Sequence, residues 1–189
     1  MRPEQILKAL EYRKATNGVL DELEFSVFIQ PLYEKVMGIT AQKARYIASV
    51  NGAAQATPLD KGEALDLYAL SDDEKFRFSE LLVEGAMELA QLLSPYSEDK
   101  LESLVVENDK VVFKAFNPFL MIPKNVLYFI IQNLKYALKY YILSEWYSLV
   151  DLKQEALEWG YRYEEEKQKL IGNIAKRIIK PLITHRVLG

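Results

Sequence analysis

The side chains of this 189-residue chain that could do chemistry are carboxylates, one histidine and many aromatic rings. Cysteine is absent, which excludes thiol nucleophiles, disulfides and Cys-ligated metals. The single histidine, His185, lies four residues from the end of the sequence, so Cys/His zinc sites and most histidine acid–base chemistry are excluded too. Carboxylates are densest at Asp72-Asp73 and Glu164-Glu165-Glu166. A metal or general-acid site needs them to converge in a cleft. Glu164 with Lys167, and Glu165 with Lys169, instead have the spacing of exposed helical ion pairs, worth roughly 0.2–0.5 kcal/mol each. No G-x-G-x-x-G, P-loop, G-x-S-x-G or EF-hand pattern occurs. The expectation is a protein with no catalytic residues, no metal and no cofactor.

The aromatic residues gather between Tyr128 and Tyr163. Phe129, Gln132, Tyr136, Tyr140 and Leu143 share one helical face, while Leu127, Ile130, Leu134, Leu138 and Tyr141 lie on others. A helix apolar on nearly all sides is central to a bundle or buried against another subunit. Tyrosine and tryptophan also suit interfaces, because a rigid apolar body carries one polar handle. Tyr140, Trp146 and Tyr147 are therefore candidates for subunit contact. Charge is polarised along the chain: residues 71–110 hold eleven acids against four bases, whereas the chain from Lys167 onward carries no acid. Lys176, Arg177, Lys180 and Arg186, with Leu182 and Ile183, form an apolar and basic tail read as a partner-binding arm. The formal net charge of −3 gives no global pull toward nucleic acid or anionic lipid.

These groups must be positioned by elements that the pattern predicts as a single, mainly α domain over 1–189. N-terminal helices are expected within 1–50: one over 3–16 stopped by Asn17-Gly18, an apolar segment from Leu20 to Met37 ended or bent at Pro31, and a short helix over 40–49 after Gly38. An irregular loop follows over 51–70. Ser71-Asp72-Asp73-Glu74 is a capping box opening a helix that ends near Pro95. β-branched runs flank Asn108-Asp109, predicting a β-hairpin near 104–113. A long helix from Pro123 to about Leu149, a corner at Asp151-Leu152 and a last helix from Leu152 to Ile179 make an αα-hairpin, so 71–180 is a helical bundle. Residues 181–189 are expected to be an extended tail. The first residues contain no secretory h-region. The apolar stretch Phe116 to Val150 is interrupted by Gln132, Asn133, Lys135, Lys139 and Glu145, so it reads as a buried helix and not as a membrane span.

At the αα-hairpin the sequence Tyr140-Tyr141-Ile142-Leu143-Ser144-Glu145-Trp146-Tyr147-Ser148-Leu149-Val150-Asp151-Leu152 is followed by Ala156, Trp159, Tyr163 and Glu164, then Ile171, Ile174 and a basic, proline-containing tail. Over roughly 71–189 this pattern resembles the head–tail connector (adaptor) proteins of tailed bacteriophages. The resemblance implies a structural virion protein of the neck, assembled in the host cytoplasm as a twelvefold homo-oligomeric ring. Such a ring sits on the portal protein, meets the tail or further connector proteins, and continues a channel for DNA that passes without sequence recognition. The tail would insert into the portal, anchored by Arg177, Lys180 and Arg186. The alternatives are a cytosolic helical-bundle regulator that binds a protein partner and an enzyme built on a carboxylate site.

Overall fold

The computed structural model describes residues 10–14, 20–51, 61–93, 104–116 and 124–186, with backbone alone at 10–14, 20–23, 51, 61, 115–116, 124–125 and 175–186. It is mainly helical. The element order is β1 (Leu10–Lys14), β2 (Leu20–Phe28), α1 (Ile29–Asn51), α2 (Lys61–Tyr68), a 3-10 turn (Asp72–Glu74), α3 (Lys75–Leu93), β3 (Leu104–Val106), β4 (Lys110–Phe116), α4 (Lys124–Leu149) and α5 (Lys153–Arg186).

The expected 104–113 hairpin is present as β3 and β4, but it is half of a larger antiparallel sheet of order β1-β2-β4-β3. The N-terminal helix expected over 3–16 is corrected at 10–14, which form β1, while its other positions lie outside the described residues, and the apolar segment from Leu20 begins as strand β2. Strand β2 is central in this sheet. It pairs with β1 from Leu10 opposite Phe25, and with β4 from Glu22 opposite Phe116 to Phe28 opposite Lys110. Phe25 and Val27 are buried, and so are Glu24 and Ser26 between them. Leu23, Phe25 and Val27 alternate with Glu22, Glu24 and Ser26, which is the period of a strand, but the apolar run Val27-Phe28-Ile29 continues into α1 and hides the junction. Buried Glu24 stands directly opposite Lys114, an opposite-charge pair across the strands.

Helix α1 follows β2 without a loop. The Ile29 amide donates to the Asp109 carbonyl at the β3–β4 turn (2.9 Å), and Pro31 sits in the first helical turn, where its missing N–H costs nothing. Pro31 therefore helps to begin this helix, and α1 runs straight through Gly38. Val36, Thr40, Ala44 and Ala48 form its buried stripe. Thr40 Oγ1 lies 3.1 Å from the Val36 carbonyl and accepts the Leu70 amide at 3.0 Å, which fastens the segment after α2 to α1. Part of the expected loop over 51–70 is thus helical, as α2; its stretch 52–60 lies outside the described residues. The capping box forms as expected, with the Ser71 amide donating to Glu74 Oε2 at 3.1 Å.

Helix α4 is the centre of the bundle. Val126, Leu127, Ile130, Ile131, Leu134, Leu138, Ile142 and Leu143 are all buried, against β2, α1, α3 and α5. Asp151 at φ 58° makes the corner to α5: its amide donates to the Ser148 carbonyl (3.2 Å), and the Leu152 amide to the Tyr147 carbonyl (2.8 Å). That pair of bonds is a Schellman motif with aspartate at the left-handed position usually given to glycine. Helix α5 continues through Pro181 to Arg186, so the expected extended tail is helical over 181–186, and 187–189 lie outside the described residues. No described helix is long and apolar enough to cross a membrane.

Two substitutions test this packing by urea unfolding. A Cβ on Gly85 of α3 meets Tyr141 Cδ1 at 2.6 Å, so Gly85→Ala is expected to lower stability by about 1–3 kcal/mol. Asp151→Gly is expected to raise it by about 0.5–1 kcal/mol, because the left-handed strain is removed.

Candidate functional site

The αα-hairpin of α4 and α5 carries the sequence-predicted aromatic candidates, and its two flanks differ in chemistry. Across the hairpin Ser144 Oγ donates to the Ala156 carbonyl at 2.9 Å, and Gly160 is placed where a Cβ would meet that hydroxyl at 3.3 Å. This close approach sets the phase of α5 against α4. Tyr140 consequently stacks on Trp159 (centroids 5.5 Å apart) and Tyr141 meets Tyr163 edge-on at 5.4 Å.

On the first flank Tyr136, Tyr140 and Trp159 form a continuous ladder of stacked rings, overlaid by cations. Lys139 Nζ lies 4.8 Å from the Tyr136 ring centre and 4.3 Å from that of Tyr140, and the Arg162 guanidinium is 4.8 Å from Trp159. Lys135 projects one turn before Lys139, and Lys35 of α1 is close enough to act on both. Among the described residues, Lys35, Lys135 and Lys139 have no carboxylate at salt-bridge distance; Glu166, the acid that favours charged Lys139, is held by Lys169 at 2.9 Å. Burial is the main reason that the Lys139 amine is pushed down to about 8, followed by the charges of Lys35 and Arg162. Lys135 is lowered for the same first reason, and the buried Tyr140 hydroxyl is raised.

On the opposite flank α3, α4 and α5 enclose an open groove of about 540 Å³. Its walls carry Glu88, Glu145 and Glu164, and Lys167 crosses between Glu88 (2.9 Å) and Glu164 (2.6 Å). Leu157 and Tyr161 stand on its rim 63% and 76% exposed. Tyr163 is buried beneath it, and burial with the neighbouring Glu88 charge raises its hydroxyl far above the ordinary range.

Trp146 and Tyr147 are not on either flank. They are only 3% and 1% exposed, and the Trp146 indole donates to the Tyr68 carbonyl at 3.0 Å, tying α4 to the end of α2. The surface expected to meet a partner is thus spent inside the chain, because α4 is surrounded on all the sides these rings occupy. Tyr140 alone of the three reaches the surface, half-buried in the ladder. For Lys176, Arg177, Lys180, Leu182, Ile183 and Arg186 the backbone is helical and the side chains lie outside the described residues. The cations at 35, 135, 139 and 162 and the acidic groove were not singled out by sequence. The signal for Lys135 and Lys139 was present: two lysines four apart on an otherwise apolar helix share one face. The groove left no such trace, since Glu88 and Glu164 are far apart in the chain.

Comparison with known protein families, with characterised proteins and with solved structures yields no match.

The electrostatics of the first flank predict a pH effect. Below pH 8 Lys139 is charged in both the folded and unfolded chain, and burial penalises the folded one. Between about 8 and its ordinary 10.5 the folded chain sheds the proton first, so stability gains with rising pH. Lys139→Met is therefore expected to be more stable than the parent at pH 7, with the difference shrinking toward pH 10.5, as read by urea unfolding at each pH.

Proposed function

We propose that this chain is a non-catalytic structural subunit that assembles with copies of itself into a ring, in the manner of a phage head–tail connector. In that role the ring sits between portal and tail in the virion neck and lines the passage for DNA. The observation that carries the proposal is the exposure of large apolar side chains on both flanks of one rigid αα-hairpin. Leu157 and Tyr161 protrude on the groove side, and Phe129, 55% exposed, stands with Tyr136 on the other. A subunit with an adhesive patch on each of two opposite flanks joins head to tail, and such contacts close into rings when the rotation per subunit permits. The Tyr140-to-Leu152 sequence pattern and the basic C-terminal helix support the same reading.

The deciding experiment is the native mass of tagged protein recovered from cells that produce it, with its bound partners identified. A ring of many copies, bound to a portal or tail component, is the expected outcome. A monomer that holds a single cellular partner overturns it and favours the helical-bundle regulator.

A further inference from the structure

We propose that the cationic aromatic ridge of one subunit docks into the acidic groove of the next copy, which is the contact that propagates the assembly. The inference rests on the ring reading and specifies the surfaces that make it.

Three observations converge. First, the two surfaces lie on opposite sides of the same two helices. At about 100° per residue, Tyr141, Glu145 and Ser148 are separated from Lys139 by roughly 120–180° around α4, and Leu157, Tyr161 and Glu164 from Arg162 by roughly 100–160° around α5. One copy cannot therefore satisfy both with a single two-fold partner, and the contact must repeat in one direction.

Second, their charges are complementary, and each surface carries an excess of one sign. The ridge presents Lys35, Lys135 and Lys139 without carboxylate partners among the described residues. The groove presents Glu88, Glu145 and Glu164 against the one cation Lys167, and Glu145 has no ion pair among the described residues. Lys139, half-buried beside Lys35 and Lys135, would gain from a further anion, and a second copy brings Glu145 together with Glu88 and Glu164, which share the single cation Lys167.

Third, the apolar parts fit the same pairing. The groove is open and rimmed by Leu157 and Tyr161, while the ridge is a ladder of rings in which Tyr140 and Trp159 are half-buried and Tyr136 is exposed at the end. Aromatic rings with cations at their faces are characteristic of interface centres, and the flanking carboxylates would set register and partner choice.

The test uses charge reversal in the full chain. Lys35→Glu with Lys135→Glu reverses the ridge, and Glu145→Lys with Glu164→Lys reverses the groove. Native mass is measured for the parent, for each reversed protein, for the chain carrying all four changes and for an equal mixture of the two reversed proteins. Thermal unfolding is followed in each. The expected result is loss of assembly in each reversed protein alone, and recovery of the parent mass both in the fourfold variant and in the mixture. Recovery in either case also shows that the reversed chains fold.

The parent alone reports on the ring reading: a monomeric parent removes that reading and this pairing with it. If the parent assembles and the reversals leave its mass unchanged, the ring stands and this pairing is wrong. Loss without recovery likewise overturns the pairing. So does loss on ridge reversal only, an outcome that assigns the ridge to another polyanion such as DNA.

Discussion

Helix α4 carries apolar side chains around most of its circumference, and keeping water from it is the constraint on which the rest of the structure depends. Val126, Leu127, Ile130, Leu134, Leu138 and Ile142 cannot be covered by one neighbour, so β2, α1, α3 and α5 must surround it. Each fully buried aliphatic side chain contributes roughly 1.5–3 kcal/mol. With so many on one helix, this element sets the bundle, and the others are placed by what they cover. The polar contacts then fix angles that apolar burial leaves loose. The Trp146 indole on the Tyr68 carbonyl, the Thr40 hydroxyl on the Leu70 amide, and the Lys43–Glu155 ion pair between α1 and α5 each join elements distant in sequence.

Where α4 is not covered, its remaining faces become the surface chemistry of the molecule. The corner at Asp151 and the contact of Ser144 with the Ala156 carbonyl set the rotation of α5, and that rotation sorts its residues. Trp159 and Arg162 turn to the side of Lys139, while Leu157, Tyr161 and Glu164 turn to the side of Glu145. A different corner would mix the two sets. Gly85 plays a related part from α3: only a hydrogen side chain allows Tyr141 to pack there, and Tyr141 forms the floor of the groove with Tyr163.

Local signals were legible in the sequence wherever they were decisive by themselves. The Ser71–Glu74 capping box, the turn at Asn108-Asp109 and the two long helices with their corner all lie where their residues place them. The strand period of β2, with Leu23, Phe25 and Val27 against Glu22, Glu24 and Ser26, is obscured by the apolar run Val27-Phe28-Ile29 that crosses the strand–helix junction. Pro31 was misread for a physical reason as well: the same ring that ends one element is favourable in the first turn of the next. At the surface the difficulty was of another kind. Composition shows that Trp146 and Tyr147 suit both core and interface, and only the tertiary arrangement decides between them. The ridge joins residues from α1, α4 and α5, and the groove joins α3 to α4 and α5, so neither is a sequence motif.

The pairing of β2 with β4 carries a consequence for how the chain comes into being. Strand β2 is finished at Phe28, yet the strand that completes its second edge spans Lys110–Phe116. On a ribosome the N-terminal hairpin therefore emerges early and waits, with a row of backbone donors and acceptors exposed, while α1, α2 and α3 are still being made. Folding of this sheet is nonlocal and correspondingly slow, and the interval offers an adhesive edge to any neighbouring nascent chain. Expression that is crowded or truncated before residue 116 would leave that edge permanently unpaired.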